Sequence, residues 1–256
     1  MAKRLGKRIL YTKFDVEAKR VKPFFRKACT EGLYTGWNVT IPHKETLLSL
    51  VNSVSTEAKV IGAINVVHFT KKNAIGYNTD VIGILSTFKE QRLALGGRSV
   101  LMFGAGGAAK AVAFALAKSG AKTVWVGNRT PKAAKSLCRQ FAKLFPETQF
   151  RFIGDVLQIT EEISCVINAT PVGLKGFRGT FLFPLHMTKN AMAFDLIYRP
   201  LETTFLKLAE KRALRTVNGL DMFLWQAMAT WEIWFGRIAT PKLVKRQLKK
   251  ELLKCM

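Results

Sequence analysis

Two different patterns of apolar residues divide the chain at about residue 98. In the first part, short apolar stretches are interrupted by polar residues at intervals typical of half-buried strands and amphipathic helices. This spacing predicts strands over 8–16, 37–40, 64–69 and 74–77, and helices over 17–30 and 44–54. Ser55 opens a sequence typical of a capped helix start. We therefore predict a mixed α/β region before residue 80.

After residue 98, apolar strands alternate regularly with helices. The fully apolar run that ends at Phe103 is followed by an alanine-rich helix over 110–119 and a second apolar strand over 123–126. A strand, a helix and a strand in this order form one unit of a parallel sheet. The same alternation predicts strands over 150–153, 164–168, 191–196 and 215–217, and C-terminal helices over 221–235 and 241–253.

A glycine-rich turn joins the first apolar strand to the alanine-rich helix. Gly104 allows the tight turn, Gly106 lets the backbone approach a diphosphate, and Ala109 permits close packing of the helix. Free N–H groups at the helix start then face negative charge. This context predicts a Rossmann-type α/β domain with a dinucleotide site formed by Gly104, Ala105, Gly106, Gly107 and Ala108.

The end of the second apolar strand distinguishes NAD from NADP. Enzymes that use NAD usually place an acidic residue there for the ribose hydroxyls, whereas this chain has Asn128, Arg129 and Thr130, followed by Lys132. A guanidinium, a hydroxyl and an ammonium suit a 2′-phosphate. We therefore predict NADP as the cofactor and these four residues among its contacts. The alternative is that Arg129 is only a surface charge.

Composition limits the class of protein. The chain has 256 residues, which is enough for one large domain or two modest ones, and a content of 48% hydrophobic and 23% charged residues is typical of a globular protein. No apolar run reaches the roughly 18 residues that cross a bilayer, and the basic N-terminus lacks the apolar core of a secretory signal. We expect a cytoplasmic protein, with an organelle as the alternative. Dispersed cysteines and histidines predict no metal site and no disulfide framework, and Cys165 is expected to be a buried thiol.

The net charge is unusually positive. Lys and Arg number 41 and Asp and Glu 17, which gives +24 and attracts polyanions, anionic membranes or phosphorylated small molecules. The basic residues are spread through the chain, with the densest run over 242–254, and no nucleic-acid-binding motif accompanies them. We therefore interpret the charge as a solvated basic surface and expect neither nucleic acid nor a membrane as a partner.

Two polar segments carry the candidate chemistry. Residues 38–44, Asn-Val-Thr-Ile-Pro-His-Lys, end an apolar strand and place Lys44 after a proline. Residues 76–80, Gly-Tyr-Asn-Thr-Asp, place Asp80 before the next helix. An amine and a carboxylate that face one small polar substrate can hold and pass a proton. We predict Lys44 and Asp80 as catalytic residues; a solvated charge is the alternative for either one alone.

Together with 62–65 (Gly-Ala-Ile-Asn), 168–173 (Asn-Ala-Thr-Pro-Val-Gly) and 218–222 (Asn-Gly-Leu-Asp-Met), these segments resemble shikimate dehydrogenases in order and spacing, from about residue 9 onward. The resemblance implies NADP-dependent interconversion of 3-dehydroshikimate and shikimate. In it Lys44 exchanges the proton and Asp80 holds Lys44 and a substrate hydroxyl in place.

The resemblance also implies further contacts and a domain organisation. It implies substrate contacts by Thr40, Asn65, Tyr198 and Gln226, and cofactor contacts by Thr170, Leu196 and Gly219. The implied organisation is a substrate-binding domain of residues 1–80, an NADP-binding domain of residues 81–221, and C-terminal helices of residues 222–256 that return to the first domain.

One departure from the family pattern keeps alternatives open. Members usually begin with a strand, a Ser-x-Ser loop that binds the substrate carboxylate, and a helix, whereas about eight residues here precede what resembles the second strand. This departure predicts exposed strand edges and weaker substrate binding. The chain is then part of a longer protein, such as a fusion with a dehydroquinase, or a divergent member. The alternatives are a quinate/shikimate dehydrogenase using NAD or NADP, or a catalytically impaired nucleotide- or polyanion-binding relative. We expect a monomer or a homodimer.

Overall fold

The computed structural model describes residues 2–255, and the chain divides into two compact units. Unit 1 consists of residues 1–79 and 227–256, and unit 2 consists of residues 80–226. Each unit contains a sheet of its own. The predicted site residues therefore fall into two groups that have different structural settings.

Unit 1 begins with short elements around a small sheet: α1 (Val21–Glu31), β1 (Gly36–Asn38), β2 (Ser53–Val54), α2 (Thr56–Ile61), β3 (Val66–Phe69) and β4 (Ala74–Tyr77). α1 ends at Gly32, whose φ of +63° favours glycine. α2 has the predicted cap, because Ser55 Oγ accepts a hydrogen bond from the Ala58 N–H at 3.2 Å. The strands predicted over 64–69 and 74–77 are confirmed as β3 and β4.

The strand predicted over 8–16 is wrong. Residues 7–17, all in the described part of the chain, are irregular. Tyr11 Oη donates to Asn38 Oδ1 at 2.9 Å, and His43 Nε2 donates to the Val16 carbonyl oxygen at 2.7 Å. Side chains therefore hold this segment in place, and alternation alone does not make a strand without a backbone partner.

The helix predicted over 44–54 is also wrong. The segment consists of turns and a short 3₁₀ helix, Leu47–Ser49, before β2. Asn52 Oδ1 accepts a hydrogen bond from the Ala74 N–H at 2.8 Å, and β2 pairs with β4. The chain therefore joins the sheet instead of continuing as a helix. The predicted apolar side chains nevertheless pack against the core of the unit: Leu47, Leu48, Leu50 and Val51.

The sheet of unit 1 has the strand order β1-β3-β4-β2. β3 pairs antiparallel with β1 and with β4, whereas β2 pairs parallel with β4. Phe25 of α1 packs in the core with Ile64 and Val67, and Phe24 stacks on Trp37 with 5.1 Å between ring centroids. The two predicted catalytic segments, 38–44 and 76–80, begin in the last residues of β1 and β4.

The rest of the chain alternates strands and helices: α3 (Asp80–Glu90), β5 (Ser99–Phe103), α4 (Gly107–Lys118), β6 (Thr123–Gly127), α5 (Pro131–Leu144), β7 (Gln149–Ile153), β8 (Ile163–Asn168), β9 (Met187–Asp195), α6 (Thr204–Glu210), β10 (Arg215–Val217), α7 (Leu220–Phe235) and α8 (Pro241–Lys254). The elements from α3 to β10 belong to unit 2, α7 begins in unit 2 and ends in unit 1, and α8 belongs to unit 1. The sheet within residues 80–226 has the order β10-β9-β8-β5-β6-β7, and every neighbouring pair is parallel. The predicted parallel sheet is confirmed.

The strand order of unit 2 reverses between β5 and β8. In open parallel sheets, ligands bind beyond the carboxyl ends of the strands at such a point. The glycine-rich turn follows β5, and the segment that contains Thr170 follows β8. Topology thus brings two of the predicted cofactor segments to one edge of the sheet.

The middle of unit 2 is closely packed. Every residue of β8 is buried, and so are most residues of α4, which explains the continuous apolar runs in the sequence. Cys165 is buried as predicted, and burial raises the pKa of its thiol to about 12. Across residues 2–255, no helix combines the length and apolar character needed to span a bilayer, and no group of three or more His, Cys, Asp or Glu could hold a metal ion.

Candidate functional site

Gly104 stands where the loops after β5 and β8 meet. Its φ is +120°, and a Cβ at this position would lie 2.8 Å from the Ala169 carbonyl oxygen. Only glycine satisfies both the backbone conformation and this close approach. The Ala109 side chain lies on the same side, 3.4 Å from the Cβ position, which confirms the predicted close packing of α4.

The start of α4 is open to a ligand. Gly106 is its N-cap residue in an extended conformation, and nothing described lies within 4 Å of where its Cβ would be. No side chain of the described residues caps this end. The first N–H groups of the helix therefore suit an anion, and the space beside Gly106 suits a diphosphate that approaches the backbone.

The loop after β6 is exposed and cationic. Asn128 Nδ2 donates to the Thr130 carbonyl oxygen at 3.0 Å and closes the turn, while Arg129, Thr130 and Lys132 are exposed. α5 starts with Pro131 at its first position and carries no acidic residue in its first turn. This loop fits a 2′-phosphate and offers no carboxylate to ribose hydroxyls.

A buried polar network links the ends of β8 and β9. Asn168 Nδ2 donates to Asp195 Oδ1 at 3.0 Å, and Asn168 Oδ1 accepts the Thr170 hydroxyl at 2.7 Å. Asp195 Oδ1 also accepts the Ile197 N–H bond at 3.0 Å, and Asp195 Oδ2 accepts the Thr203 hydroxyl at 2.5 Å. The network therefore fixes both loops that carry predicted cofactor residues.

Sequence reasoning did not single out Asp195. Its side chain is fully buried, and this burial raises the pKa of the carboxyl to about 6, although hydrogen bonds from Thr203, Ile197 and Asn168 lower it. The signal was available in the sequence, because a carboxylate directly after the apolar run 191–194 needs polar partners at the end of a strand.

Leu196 and Gly219 come together beyond β9. The Leu196 N–H donates to the Asn168 carbonyl at 3.1 Å, and the Gly219 N–H donates to the Ile197 carbonyl at 2.9 Å. A Cβ at Gly219 would overlap the Leu196 carbonyl oxygen, so the two chain segments touch through their backbones. These contacts place two predicted cofactor residues, Leu196 and Gly219, side by side.

The predicted substrate residues of unit 2 lie around the start of α7. Tyr198 stacks on Phe223 with 4.2 Å between ring centroids, and Gln226 Nε2 donates to the Phe223 carbonyl oxygen at 3.0 Å. A Cβ at Gly83 would lie 3.2 Å from the Gln226 Cβ, which brings α3 against this part of α7. Asp80 is buried and lies one helical turn before Gly83. Unit 2 thus gathers Asp80, Tyr198 and Gln226 around two neighbouring helices.

Unit 1 holds the remaining predicted residues. Lys44 is half-buried, and its carbonyl accepts the Ile64 N–H bond at 2.9 Å. Asn65 is buried; its carbonyl accepts the Val39 N–H bond at 2.8 Å, and its Nδ2 donates to Thr79 Oγ1 at 3.0 Å.

Thr40, the other predicted substrate residue of unit 1, is exposed two residues after β1. The Thr79 N–H donates to Asn65 Oδ1 at 2.7 Å. This bond ties the end of the 76–80 segment to Asn65, the residue directly before β3. These bonds hold the Lys44 loop, Asn65 and Thr79 beside one another, and Asp80 follows Thr79 directly in the chain.

Family profiles match three parts of the chain. The shikimate dehydrogenase substrate binding domain matches residues 1–67, shikimate / quinate 5-dehydrogenase matches residues 87–174, and the shikimate 5′-dehydrogenase C-terminal domain matches residues 219–249. The matches fall in the order in which the sequence motifs occur.

Individual proteins are similar over most of their length. A shikimate dehydrogenase (NADP(+)) of Carboxydothermus hydrogenoformans is 37% identical over 217 residues, which cover 84% of this chain and 77% of that protein. The crystal structure of shikimate dehydrogenase from Aquifex aeolicus has a TM-score of 0.84 at 32% identity, over 96% of this chain and 88% of that one. Shikimate 5-dehydrogenase from Thermus thermophilus, in complex with NADP(H) and shikimate, has a TM-score of 0.79 at 33% identity, over 95% of this chain and 88% of that one.

Proposed function

Since the chain belongs to the shikimate dehydrogenase family, we propose that it interconverts 3-dehydroshikimate and shikimate with NADP as the redox cofactor. The observation that carries the proposal is the nucleotide site of unit 2, in which a bare helix start and an exposed cationic loop flank the strand switch point. The same chain carries Lys44 and Asp80, an amine and a carboxylate that can support the proton exchange of an alcohol–ketone interconversion.

The residues of unit 2 fit NADP from one end to the other. The glycine-rich turn receives the diphosphate, the loop after β6 receives the 2′-phosphate, and the loops after β8 and β9 receive the nicotinamide end. When bound, NADP supplies hydride transfer to and from the reacting ring carbon. The residues assigned to its binding are Gly104, Ala105, Gly106, Gly107, Ala108, Asn128, Arg129, Thr130, Lys132, Thr170, Leu196 and Gly219.

Lys44 is assigned the proton transfer. In the direction of reduction its ammonium donates a proton to the substrate oxygen, and in the direction of oxidation its neutral amine removes that proton. Asp80 is assigned to orient the Lys44 side chain and a substrate hydroxyl by accepting hydrogen bonds from both. The position of Asp80 at the start of α3 supports this role, because the helix N-terminus stabilises a carboxylate that is only 6% exposed.

Four neutral side chains are assigned to the hydroxyl and carboxylate groups of the substrate: Thr40, Asn65, Tyr198 and Gln226. Neutral donors and acceptors orient a ring without changing its charge, so the reacting carbon is positioned while the proton transfer is left to Lys44. The bonds between Asn65 and Thr79 support the assignment, since they hold the Asn65 side chain in one orientation.

The test is an absorbance assay at the NADPH band. Purified protein is given shikimate with NADP, and in parallel quinate with NAD. We expect turnover with the first pair and little with the second, because Arg129 and Lys132 replace the acidic residue that NAD enzymes offer. Equal turnover with quinate and NAD would establish the broader quinate/shikimate activity instead. Absence of turnover with both pairs, in protein that melts cooperatively, would refute the proposal.

The predicted oligomeric state can be tested on the protein used in the assay. Light scattering on the same sample distinguishes a monomer from a homodimer, the two states predicted. A larger assembly would contradict both.

A further inference from the structure

The outer face of α5 carries a row of cations. Its inner face is buried through Ala134, Leu137, Cys138 and Phe141, and its outer face exposes four basic residues. The sequence from Pro131 to Leu144 contains no Asp or Glu. We name the four residues on the outer face the α5 stripe: Lys132, Lys135, Arg139 and Lys143.

Helical geometry aligns the α5 stripe along one side. The intervals between its members are three, four and four residues, which place all four side chains within an arc of about 80°. The row is about 16 Å long at 1.5 Å per residue. Arg129, in the loop just before α5, extends it at the N-terminal end. A basic sequence that looked dispersed thus becomes a continuous line of positive charge.

The charges on this line are not neutralised within the protein. Among residues 2–255, no member of the α5 stripe forms an ion pair, and neither does Arg129. Lys135 Nζ lies 5.3 Å from the centroid of the Phe152 ring, which orients the side chain while leaving its charge in place. The stripe is therefore available to an external anion.

Lys132 stands in an unfavourable place for a structural cation. It lies in the first turn of α5, where the helix dipole presents positive charge and acidic residues are normally preferred. An anion bound at this end removes the repulsion. The proposed function already assigns one such anion, the 2′-phosphate of NADP, and the three further cations of the stripe continue away from it.

A nucleic acid strand fits this surface better than a membrane does. The apolar face of α5 is buried against the sheet, so this helix cannot insert an apolar face among lipids. A nucleic acid strand presents a regular series of phosphates, and a row of about 16 Å is long enough to contact several consecutive ones. Four stripe residues and Arg129 supply five cations for them.

The other strongly basic helix, α8, is a poorer candidate. It contains Glu251, and its Lys245 is buried while its Lys249 already has a partner within the protein. It also begins far along the chain from any residue assigned to a phosphate. α8 therefore serves as the comparison that separates a defined surface from a general effect of positive charge.

From these observations we propose that the α5 stripe binds the phosphate backbone of single-stranded nucleic acid, and that this strand and NADP exclude each other at Arg129 and Lys132. The exclusion rests on the proposed function, since it requires the 2′-phosphate of NADP at the start of α5. Binding along the stripe itself does not depend on catalysis. By linkage, NADP weakens the binding of the strand by the same factor by which the strand weakens NADP.

The first experiment measures binding of a fluorescein-labelled oligouridylate of about ten nucleotides, a length within the usual range of single-strand binding sites. The variant K135Q/R139Q/K143Q leaves out the two residues assigned to NADP. We expect its affinity to fall by about tenfold or more at about 0.1 M salt, and the slope of log affinity against log salt to fall by about 2, or about 0.7 per lost contact. The control K242Q/R246Q/K250Q removes the same charge from exposed positions of α8 and should change affinity far less.

The second experiment tests the overlap with the cofactor. NADP should displace the labelled strand, and NAD at the same concentration should not, because only NADP carries the 2′-phosphate. Both triple variants should retain the unfolding midpoint and the NADP-dependent turnover of the parent protein. A loss of strand binding in a variant that keeps both cannot be attributed to misfolding.

Three results would overturn the inference. The first is an α8 variant that loses as much affinity as the α5 variant, which would mean a diffuse charge effect. The second is displacement of the strand by NAD as effective as that by NADP. The third is binding of phosphatidylglycerol vesicles through the α5 stripe in preference to the strand. Absence of shikimate turnover with intact strand binding would instead refute the proposed function and leave the α5 surface in place.

Discussion

The predicted sites of the two units differ in whether backbone or side-chain groups form them. In unit 2 the nucleotide site is made largely of backbone: Gly104 and Gly219 allow close approach of two backbone segments, and Gly106 leaves open space at the start of α4. In unit 1 the candidate chemistry belongs to a side chain, Lys44, in a turn held by the hydrogen bond from the Ile64 N–H. Backbone sites are specified by topology and tolerate side-chain truncation, whereas a proton-transfer site depends on a single functional group.

The largest expected effect tests the side-chain half of this comparison. Lys44→Ala should lower turnover by about two orders of magnitude or more, because no other group assigned here donates the proton. NADP binding, measured by fluorescence titration, should be unchanged, since the cofactor residues lie in unit 2.

Lys59→Ala is the matched control for Lys44→Ala. Lys59 is an exposed lysine of the same unit, on α2, and its removal should leave turnover unaffected. Near-normal turnover in Lys44→Ala would remove Lys44 from the mechanism.

The next effect concerns Asp195, a buried carboxyl group in unit 2. Its pKa is raised to about 6 by burial, so its contribution to stability is present below pH 3.8, the ordinary value, and is lost as pH rises through about 6. The loss amounts to at most about 3 kcal/mol of unfolding free energy. In Asp195→Asn this pH dependence should disappear.

Urea titrations of both proteins from about pH 4 to about pH 8 provide the check, with the difference between the two curves isolating Asp195. A difference that does not change with pH would show that the hydrogen bonds from Asn168, Ile197 and Thr203 offset burial completely.

Substitutions at two glycines of one turn should distinguish an effect on stability from an effect on NADP binding. Gly104→Ala forces a side chain onto a φ of +120° and against the Ala169 carbonyl, so we expect a loss of about 2 kcal/mol of stability. Gly106→Ala has open space and an ordinary extended backbone, so stability should change by less than about 0.5 kcal/mol. NADP affinity should nevertheless fall, because the new Cβ lies where the diphosphate approaches.

Calorimetric melting and NADP titration of these two glycine variants measure the two quantities separately. If Gly106→Ala lowers the melting temperature as much as Gly104→Ala, the start of α4 is a structural turn and not a ligand site.

The smallest effect concerns the choice of cofactor. Arg129→Gln should weaken NADP binding by about tenfold, the loss of one charge-assisted contact to an exposed phosphate, and should leave NAD binding unchanged. The ratio of kcat/KM for NADP and NAD reports the change. Arg151→Gln, at an exposed position of β7, is the control. An unaltered ratio would mean that Arg129 is only a surface charge.

Local patterns predicted much of unit 2. The apolar run before Gly104 and the alanine-rich run after it occur in an order that is compatible with few folds, and both elements formed as expected. Their strands are buried on both faces, so nearly every residue carries information about burial. Gly104 and Ala109 could be assigned physical roles because the glycine-rich turn lies between a strand and a helix.

Unit 1 was harder to predict because its elements are short and depend on distant partners. Residues 44–54 have helical spacing, yet Asn52 and β2 bind β4 more than twenty residues away and convert the segment to turns. Residues 8–16 alternate like a strand but have no ladder. In both cases contacts between remote parts of the chain outweighed local preference.

What could be known from the order of residues is therefore the set of chemical groups and the parallel core: Lys44, Asp80, the glycine-rich turn and the cationic loop before α5. What required the folded chain is the arrangement of polar partners, such as the burial of Asp195 with Asn168 and Thr203, and the backbone contact at Gly219. The physical reason is the distance along the chain between interacting residues. Hydrophobic periodicity can be read from neighbouring residues, whereas hydrogen-bond partners in a parallel sheet come from strands that are separated in sequence by whole helices.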